Sequence, residues 1–202
     1  MKIKYLIFLF IIFIFNNCSE KIDERKINIT QDNRILAFGD SLTFGYQVEK
    51  QNSYPSILSN KINLNIDNKG ISGELSNKGL KRLKKILNNE KYDVLLLIHG
   101  GNDILQNKSM RELKSNLNQM IKIATNKNLK IIMVSVPHKT MFGIEDLAIY
   151  KEIANENKNV ILIENILTKI LENNDLKVDY IHPNKLGYIK LSDEIYKHLN
   201  LK

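Results

Sequence analysis

Asp179 and His182, in the stretch "VDYIHPN", have the types and spacing of a general base and its orienting partner. In a helical turn or a tight loop, side chains three positions apart lie on one side and within reach of each other. The carboxylate then accepts the imidazole Nδ1–H, fixes the tautomer and leaves Nε2 free to take a proton. The plainer reading is a turn: Asp, His-Pro and Asn are ordinary punctuation before a helix, and Asn184 is a good N-cap residue. A base needs a group to deprotonate, and "FGDSLTFGY" offers Ser41 at the end of an apolar run. Serine is a weak nucleophile unless a base activates it and donors receive the developing oxyanion.

Two further stretches could supply those donors. "NKGISGE" carries Gly73, where a bare backbone N–H can approach a ligand closely. "HGGND" carries Asn102, whose side-chain amide is a neutral donor. Each stretch alone is also ordinary turn chemistry. Asp40 and Asp103, beside the nucleophile and the asparagine, read as residues that bind backbone within their own loops. His99 and His138 lack an acidic residue at the Asp179–His182 spacing and are poor candidates for the base. His198 reads as a surface residue.

The elements that must position these groups follow from the apolar pattern. "RILAF", "INLNI", "DVLLLI", "LKIIMVSV" and "VILIE" are short, nearly continuous apolar runs, as expected of strands covered on both faces. Between them, Leu80, Leu83 and Leu87 with Ile86 stripe one helix. Met110, Leu113, Leu117, Met120, Ile121 and Ala124 stripe another, which opens with Ser109 and Glu112 at capping-box spacing. Further helices are predicted over residues 144–157 and 186–199. Strands alternating with helices give an α/β fold with a five-stranded parallel sheet and right-handed crossovers. Sites in such sheets form at the carboxyl ends of the strands. Ser41 follows the first strand, Gly73 the second, Asn102 the third, and Asp179 with His182 the fifth.

This set resembles the GDSL, or SGNH, hydrolases, and in particular their thioesterase I and lysophospholipase L1 branch. "GDSLTFG", "GISG", "GGND" and "DYIHPN" recur in that family's order, and the resemblance runs from Ile35 to the end of the chain. It implies a flavodoxin-like three-layer α/β/α sandwich over residues 34–202 that acts as a serine esterase without metal or cofactor. It also implies a Ser41 nucleophile, a His182 base oriented by Asp179, and an oxyanion hole made of the Ser41 and Gly73 N–H groups and the Asn102 side chain. In that branch the region matching "PHKTMFGIEDL" covers the acyl chain, which makes Met141 and Phe142 candidates for an acyl pocket; the alternative is a loop whose Met and Phe pack onto the core. The substrate class implied is a small-molecule or lipid ester, with acyl thioesters, lysophospholipids and O-acetylated sugars all permitted.

Other classes fit less well. A binuclear metal site needs several His and carboxylate ligands at defined spacing, whereas the chain has four histidines and no D-x-H or G-N-H pair. The nucleophile elbow of α/β-hydrolases requires G-x-S-x-G, and Thr43 stands at its second glycine. A non-catalytic binding lipoprotein on the same fold would be expected to have lost one of Ser41, Gly73, Asn102, Asp179 or His182, and all five are present. The net charge of +8 is spread over lysines without a basic block, and there is no Trp, so nucleic acid is not an expected partner.

The start of the chain has a separate character. Lys2 and Lys4 precede an apolar run over residues 6–15, about half of what a transmembrane helix needs and close to an export signal. Cys18, the only cysteine, follows it at a position resembling a lipidation site, and residues 19–33 read as a polar tether. A domain tethered to a membrane in the cell envelope is the expected arrangement.

Overall fold

The computed structural model describes residues 25–202, so the signal-like run and Cys18 lie outside the described residues. The chain begins with a short strand β1 (Ile27–Ile29). There follow β2 (Ile35–Gly39), α1 (Ser41–Phe44), α2 (Tyr54–Ile62), β3 (Ile66–Gly70) and α3 (Ser76–Asn89). Next come β4 (Val94–Ile98), α4 (Gly101–Leu105), α5 (Met110–Asn126), β5 (Lys130–Val134), and the strands β6 (Pro137–Thr140) and β7 (Gly143–Asp146). The last part holds α6 (Ile149–Glu156), β8 (Val160–Ile163), α7 (Ile166–Glu172), α8 (Lys185–Lys197) and β9 (Leu199–Leu201).

Five of the strands form one parallel sheet in the order β3-β2-β4-β5-β8. Every residue of β2 and β4 is buried, which explains why these strands read as unbroken apolar runs. Helices α3, α5 and α6 pack against one another in one layer, and α2, α8 and α7 in another. The sheet lies between the two layers. Leu83 and Leu87 of α3 are buried, as are Leu113, Leu117, Met120, Ile121 and Ala124 of α5. The Ser109 hydroxyl accepts the Glu112 N–H at 3.3 Å, so the predicted N-terminus of α5 is realised. From β2 the chain crosses to β3 on one side and then to β4 on the other. The order reverses between β2 and β4, and that is where a crevice opens at the carboxyl ends of the strands.

Several boundaries differ from the sequence reading. The tether expected over residues 19–33 has become folded structure by Arg25. β1 pairs in parallel with β9, with Ile27 and Ile29 buried, and the Ile27 N–H donates to the His198 carbonyl at 2.8 Å. His198, read as a surface residue, is buried under this pair, its Nδ1 3.1 Å from the Arg25 carbonyl oxygen. Arg25 also donates to the carbonyls of Lys158 (2.5 Å) and Val160 (2.6 Å), at the amino end of β8. The isoleucines of an otherwise polar segment thus close the bottom of the core.

The run "INLNI" is mostly not strand. Ile62 ends α2, Asn63 caps it in the left-handed conformation (φ 53°), and the strand starts only at Ile66. The helix expected over residues 144–157 begins at Ile149, because residues 137–146 form an antiparallel β6–β7 hairpin. Asp146 pins the base of this hairpin, accepting hydrogen bonds from the Ser135 hydroxyl, from the Asn165 N–H (2.6 Å) and from the Thr168 hydroxyl (2.6 Å). The last helix stops at Lys197, short of the predicted residue 199, and gives way to β9.

Candidate active site

The turn after β2 presents Ser41. Asp40 is the N-cap of α1, and its Oδ1 accepts the Leu42 N–H at 3.2 Å. Its other oxygen accepts the Gly101 N–H at 3.2 Å, which ties the Ser41 turn to the start of α4. Asp40 is fully buried, and this raises its carboxyl above the ordinary range against the opposing pull of His99, the two N–H groups and His182. It binds backbone, as the sequence suggested. Asp103 departs from that reading: it reaches out of its own loop to the start of α3, 27 positions back in the chain, accepting the Ser76 N–H at 2.8 Å and the Ser76 hydroxyl at 2.6 Å.

Asp179 and His182 come together in the loop between α7 and α8. One Asp179 oxygen accepts the backbone N–H groups of Ile181 and His182, both at 2.8 Å, and the other lies 2.8 Å from His182 Nδ1. Partial burial pushes the Asp179 carboxyl up. The hydrogen bonds from the imidazole and the two amides outweigh it, so the group sits below its ordinary value. An ionised carboxylate only accepts, so Nδ1 carries the proton and Nε2 presents a lone pair. That lone pair faces Ser41 Oγ at 3.0 Å. The turn reading of this stretch holds too: Asn184 caps α8 by accepting the Gly187 N–H at 3.1 Å. The Tyr46 ring, 4.6 Å from the His182 ring and tilted by 43°, covers the imidazole from one side.

Gly73 lies at φ +79° in the turn after β3, a conformation in which an L side chain is strained. A Cβ there would meet nothing within 4 Å, so the glycine serves the backbone conformation and not a close approach. Asn102 lies in α4 and donates one N–H to the Glu74 carbonyl at 3.2 Å. Ser41, Gly73, Asn102, Asp179 and His182 all line one cavity of about 920 Å³. Its walls include Leu42, Ile104, Leu105, Val136, Ile144 and Leu171. The β6–β7 hairpin contributes one wall, but through Pro137, His138, Lys139, Gly143 and Ile144. Met141 and Phe142 sit at the hairpin tip, 94% and 98% exposed, and do not line the cavity. The sequence reading put Met141 and Phe142 at an acyl pocket; as the two residues between β6 and β7 they are solvent-exposed instead, and the cavity is lined by the strands of the same hairpin.

His99 and His138 stand apart from the Asp179–His182–Ser41 hydrogen-bond chain. His99 is buried with Nε2 3.3 Å from a Glu74 carboxylate oxygen, and His138 Nδ1 is 3.1 Å from the Glu145 carbonyl oxygen. Glu74 and Arg82 have no counterpart in the sequence reading. Arg82 grips the Glu74 carboxylate with Nε at 2.8 Å and Nη2 at 2.5 Å. Burial raises the Glu74 carboxyl, but Arg82 and His99 more than reverse this and hold it down at about 2. The available signal was an acidic residue directly after Gly73.

Residues 37–189 match the GDSL-like Lipase/Acylhydrolase family. The chain belongs to this family. An arylesterase of Vibrio mimicus is 27% identical to it over 180 residues, covering 82% of this chain and 90% of that protein. Thioesterase 1/protease 1/lysophospholipase L1 of Escherichia coli K12 is also 27% identical, over 172 residues and 82% of each chain. Among solved structures, the psychrotrophic esterase EstA of Pseudoalteromonas superposes with a TM-score of 0.74. That match has 24% identity over 83% of this chain and 96% of that one, and shows a shared fold. As a GDSL-like acylhydrolase the chain is an enzyme of the esterase class, and its sheet is the SGNH hydrolase sheet.

Proposed function

We propose that the enzyme hydrolyses carboxylic esters with an apolar acyl part through Ser41, His182 and Asp179. The observation that carries this reading is the unbroken relay from Asp179 Oδ2 to His182 Nδ1 (2.8 Å) and from His182 Nε2 to Ser41 Oγ (3.0 Å), opening into an apolar cavity. Ser41 Oγ attacks the acyl carbonyl carbon while its proton passes to His182 Nε2. The carbonyl oxygen becomes an oxyanion, received by the Ser41 and Gly73 N–H groups and by the Asn102 N–H not engaged with Glu74. Collapse expels the alcohol, which takes the proton from His182. Water, deprotonated by the same imidazole, then attacks the acyl-serine and releases the acid.

Leu42, Ile104, Leu105, Val136 and Ile144 favour an acyl group of several carbons over a bare acetyl group, since each buried CH₂ contributes about 0.8 kcal/mol. A thioester with the same acyl part fits the same chemistry, because only the leaving group changes. The enzyme works in the cell envelope, with Lys2, Lys4, the apolar run at residues 6–15 and Cys18 as export and anchoring signals. Arg25 enters the fold beside the amino end of β8, whereas the catalytic cavity opens at the carboxyl ends of the strands. An anchor upstream therefore leaves the cavity mouth clear.

The test is hydrolysis of p-nitrophenyl esters from acetyl to palmitoyl by the enzyme and by its Ser41→Ala variant. Turnover that peaks beyond acetyl and disappears in the variant is expected. Turnover equal in both proteins would refute the mechanism, and a sharp acetyl optimum would refute the acyl assignment.

A further inference from the structure

We propose that Glu74 is the positioning residue of the oxyanion hole, holding the Gly73 amide and the Asn102 side chain in one frame clamped by Arg82 and His99. The inference rests on the Ser41 mechanism above and assigns a role to residues that take no part in the proton relay.

Glu74 touches both donor groups through its own main chain. Its N–H donates to the Ile71 carbonyl at 3.2 Å and closes the turn in which Gly73 is the second central residue. The other end of that turn is also fixed, because the Ile71 N–H donates to the Gly39 carbonyl at 3.1 Å. The Glu74 carbonyl in turn accepts one N–H of Asn102. An amide has two N–H groups on one plane, so engaging one sets the direction of the other. A displacement of Glu74 therefore moves both donors together.

The side chain is what keeps Glu74 in place. It is 8% exposed and bridged by both of its oxygens. Arg82 approaches it in a two-pronged pair, and the same guanidinium donates to the Lys69 carbonyl at 2.8 Å and the Gly39 carbonyl at 3.4 Å. It also stacks over the Phe38 ring at 4.1 Å. His99, the residue directly after β4, completes the clamp. A carboxylate cannot donate, so His99 Nε2 carries the proton in this contact, and Nδ1 is left as the atom without a partner. Gly79 makes room for this: a Cβ at that position would lie 2.2 Å from His99 Nε2. The frame is thus fastened to β2, β3 and β4, the three strands whose following loops carry Ser41, Gly73 and Asn102. Arg82 and Glu74 are eight residues apart and mutually neutralised. A largely buried pair of this kind need not add net stability, and what it does fix is the position of the Glu74 side chain.

The test compares the full-length enzyme with Glu74→Gln, Arg82→Lys and Ser41→Ala. The readouts are kcat and KM on p-nitrophenyl butyrate, thermal unfolding, and the Asn102 side-chain NH₂ resonances with their hydrogen exchange. Arg82→Lys retains the charge and guards against loss of folding in the Glu74 variant. The expected result is a kcat lowered on the order of 10- to 100-fold in Glu74→Gln, with KM within about 3-fold. Arg82→Lys should fall between it and the wild type, and the Asn102 NH₂ signals should shift and exchange faster. Folded variants with unchanged kcat, or with Asn102 signals that do not move, overturn the proposal. Wild-type turnover no greater than that of Ser41→Ala, with the Asn102 signals still moving, overturns the oxyanion role by a separate route, because then the serine mechanism itself has failed.

Discussion

His182 Nε2 lies 3.0 Å from Ser41 Oγ, although 141 positions separate the two residues in the chain. The contact forms because both follow strands of one parallel sheet, whose carboxyl ends face the same crevice. Its chemical direction is set from behind by Asp179.

Asp179→Asn leaves the shape of this arrangement but lets the side chain present an N–H to Nδ1. The imidazole then carries its proton on Nε2 and cannot accept one from Ser41. A kcat lowered by between about 100- and 10,000-fold is expected, with little change in KM. The carboxyl sits below its ordinary 3.8, so any stability or activity it provides is fully present above that pH and is lost only as pH falls further. Loss of kcat/KM that tracks protonation of Asp179 should therefore be confined to pH below that value, which a pH profile of the wild type against Asp179→Asn checks.

The Tyr46 ring holds the other side of His182. Replacement by Phe keeps the ring contact and should leave kcat within about 2-fold of wild type. Replacement by Ala removes a pairing of about 0.5–1.5 kcal/mol and should lower kcat roughly 2- to 10-fold. A Phe variant as impaired as the Ala variant would mean that the hydroxyl, and not the ring, does the holding.

The hairpin tip and the hairpin wall should behave differently. Met141→Ser combined with Phe142→Ser is expected to leave the acyl-length profile on soluble p-nitrophenyl esters unchanged, since both side chains are exposed outside the cavity. Ile144→Phe places extra volume against the cavity wall and should move the optimum to shorter chains by two or more carbons. A profile shifted by the tip substitutions would show that the tip folds inward over substrate.

Much of this architecture was legible in the sequence for a physical reason. Strands buried on both faces are written as apolar runs, and β2, β4, β5 and β8 all read that way. The candidate site residues were legible because Ser41, Gly73 and Asn102 fall shortly after β2, β3 and β4, and Asp179 and His182 after β8, on the crevice side of one sheet. What escaped was whatever depends on a partner far away in the chain. Glu74 and Arg82 look like solvated charges until Glu74 is seen buried against His99 and Arg82 half-buried over the Phe38 ring. Ile27 and Ile29 look like scattered isoleucines in a polar segment until β9 pairs with them. Met141 and Phe142 are apolar and near the site, and nothing local tells a hairpin tip from a wall.

The β1–β9 pair gives a direct check on that correction. Ile29 is 0% exposed, so Ile29→Ala should destabilise the fold by about 2–5 kcal/mol in urea unfolding. A residue in a tether would cost nothing, and a change below about 0.5 kcal/mol would return residues 25–33 to that role.

The most direct test of the central claim is covalent capture of the nucleophile. The full-length enzyme is treated with a p-nitrophenyl alkylphosphonate, which traps an activated serine as a tetrahedral ester, and its intact mass and peptides are measured. The account predicts one phosphonyl group per chain, carried by the peptide containing Ser41, much slower labelling in His182→Ala and none in Ser41→Ala. Labelling at another residue, or equal labelling of the Ser41→Ala variant, would contradict it.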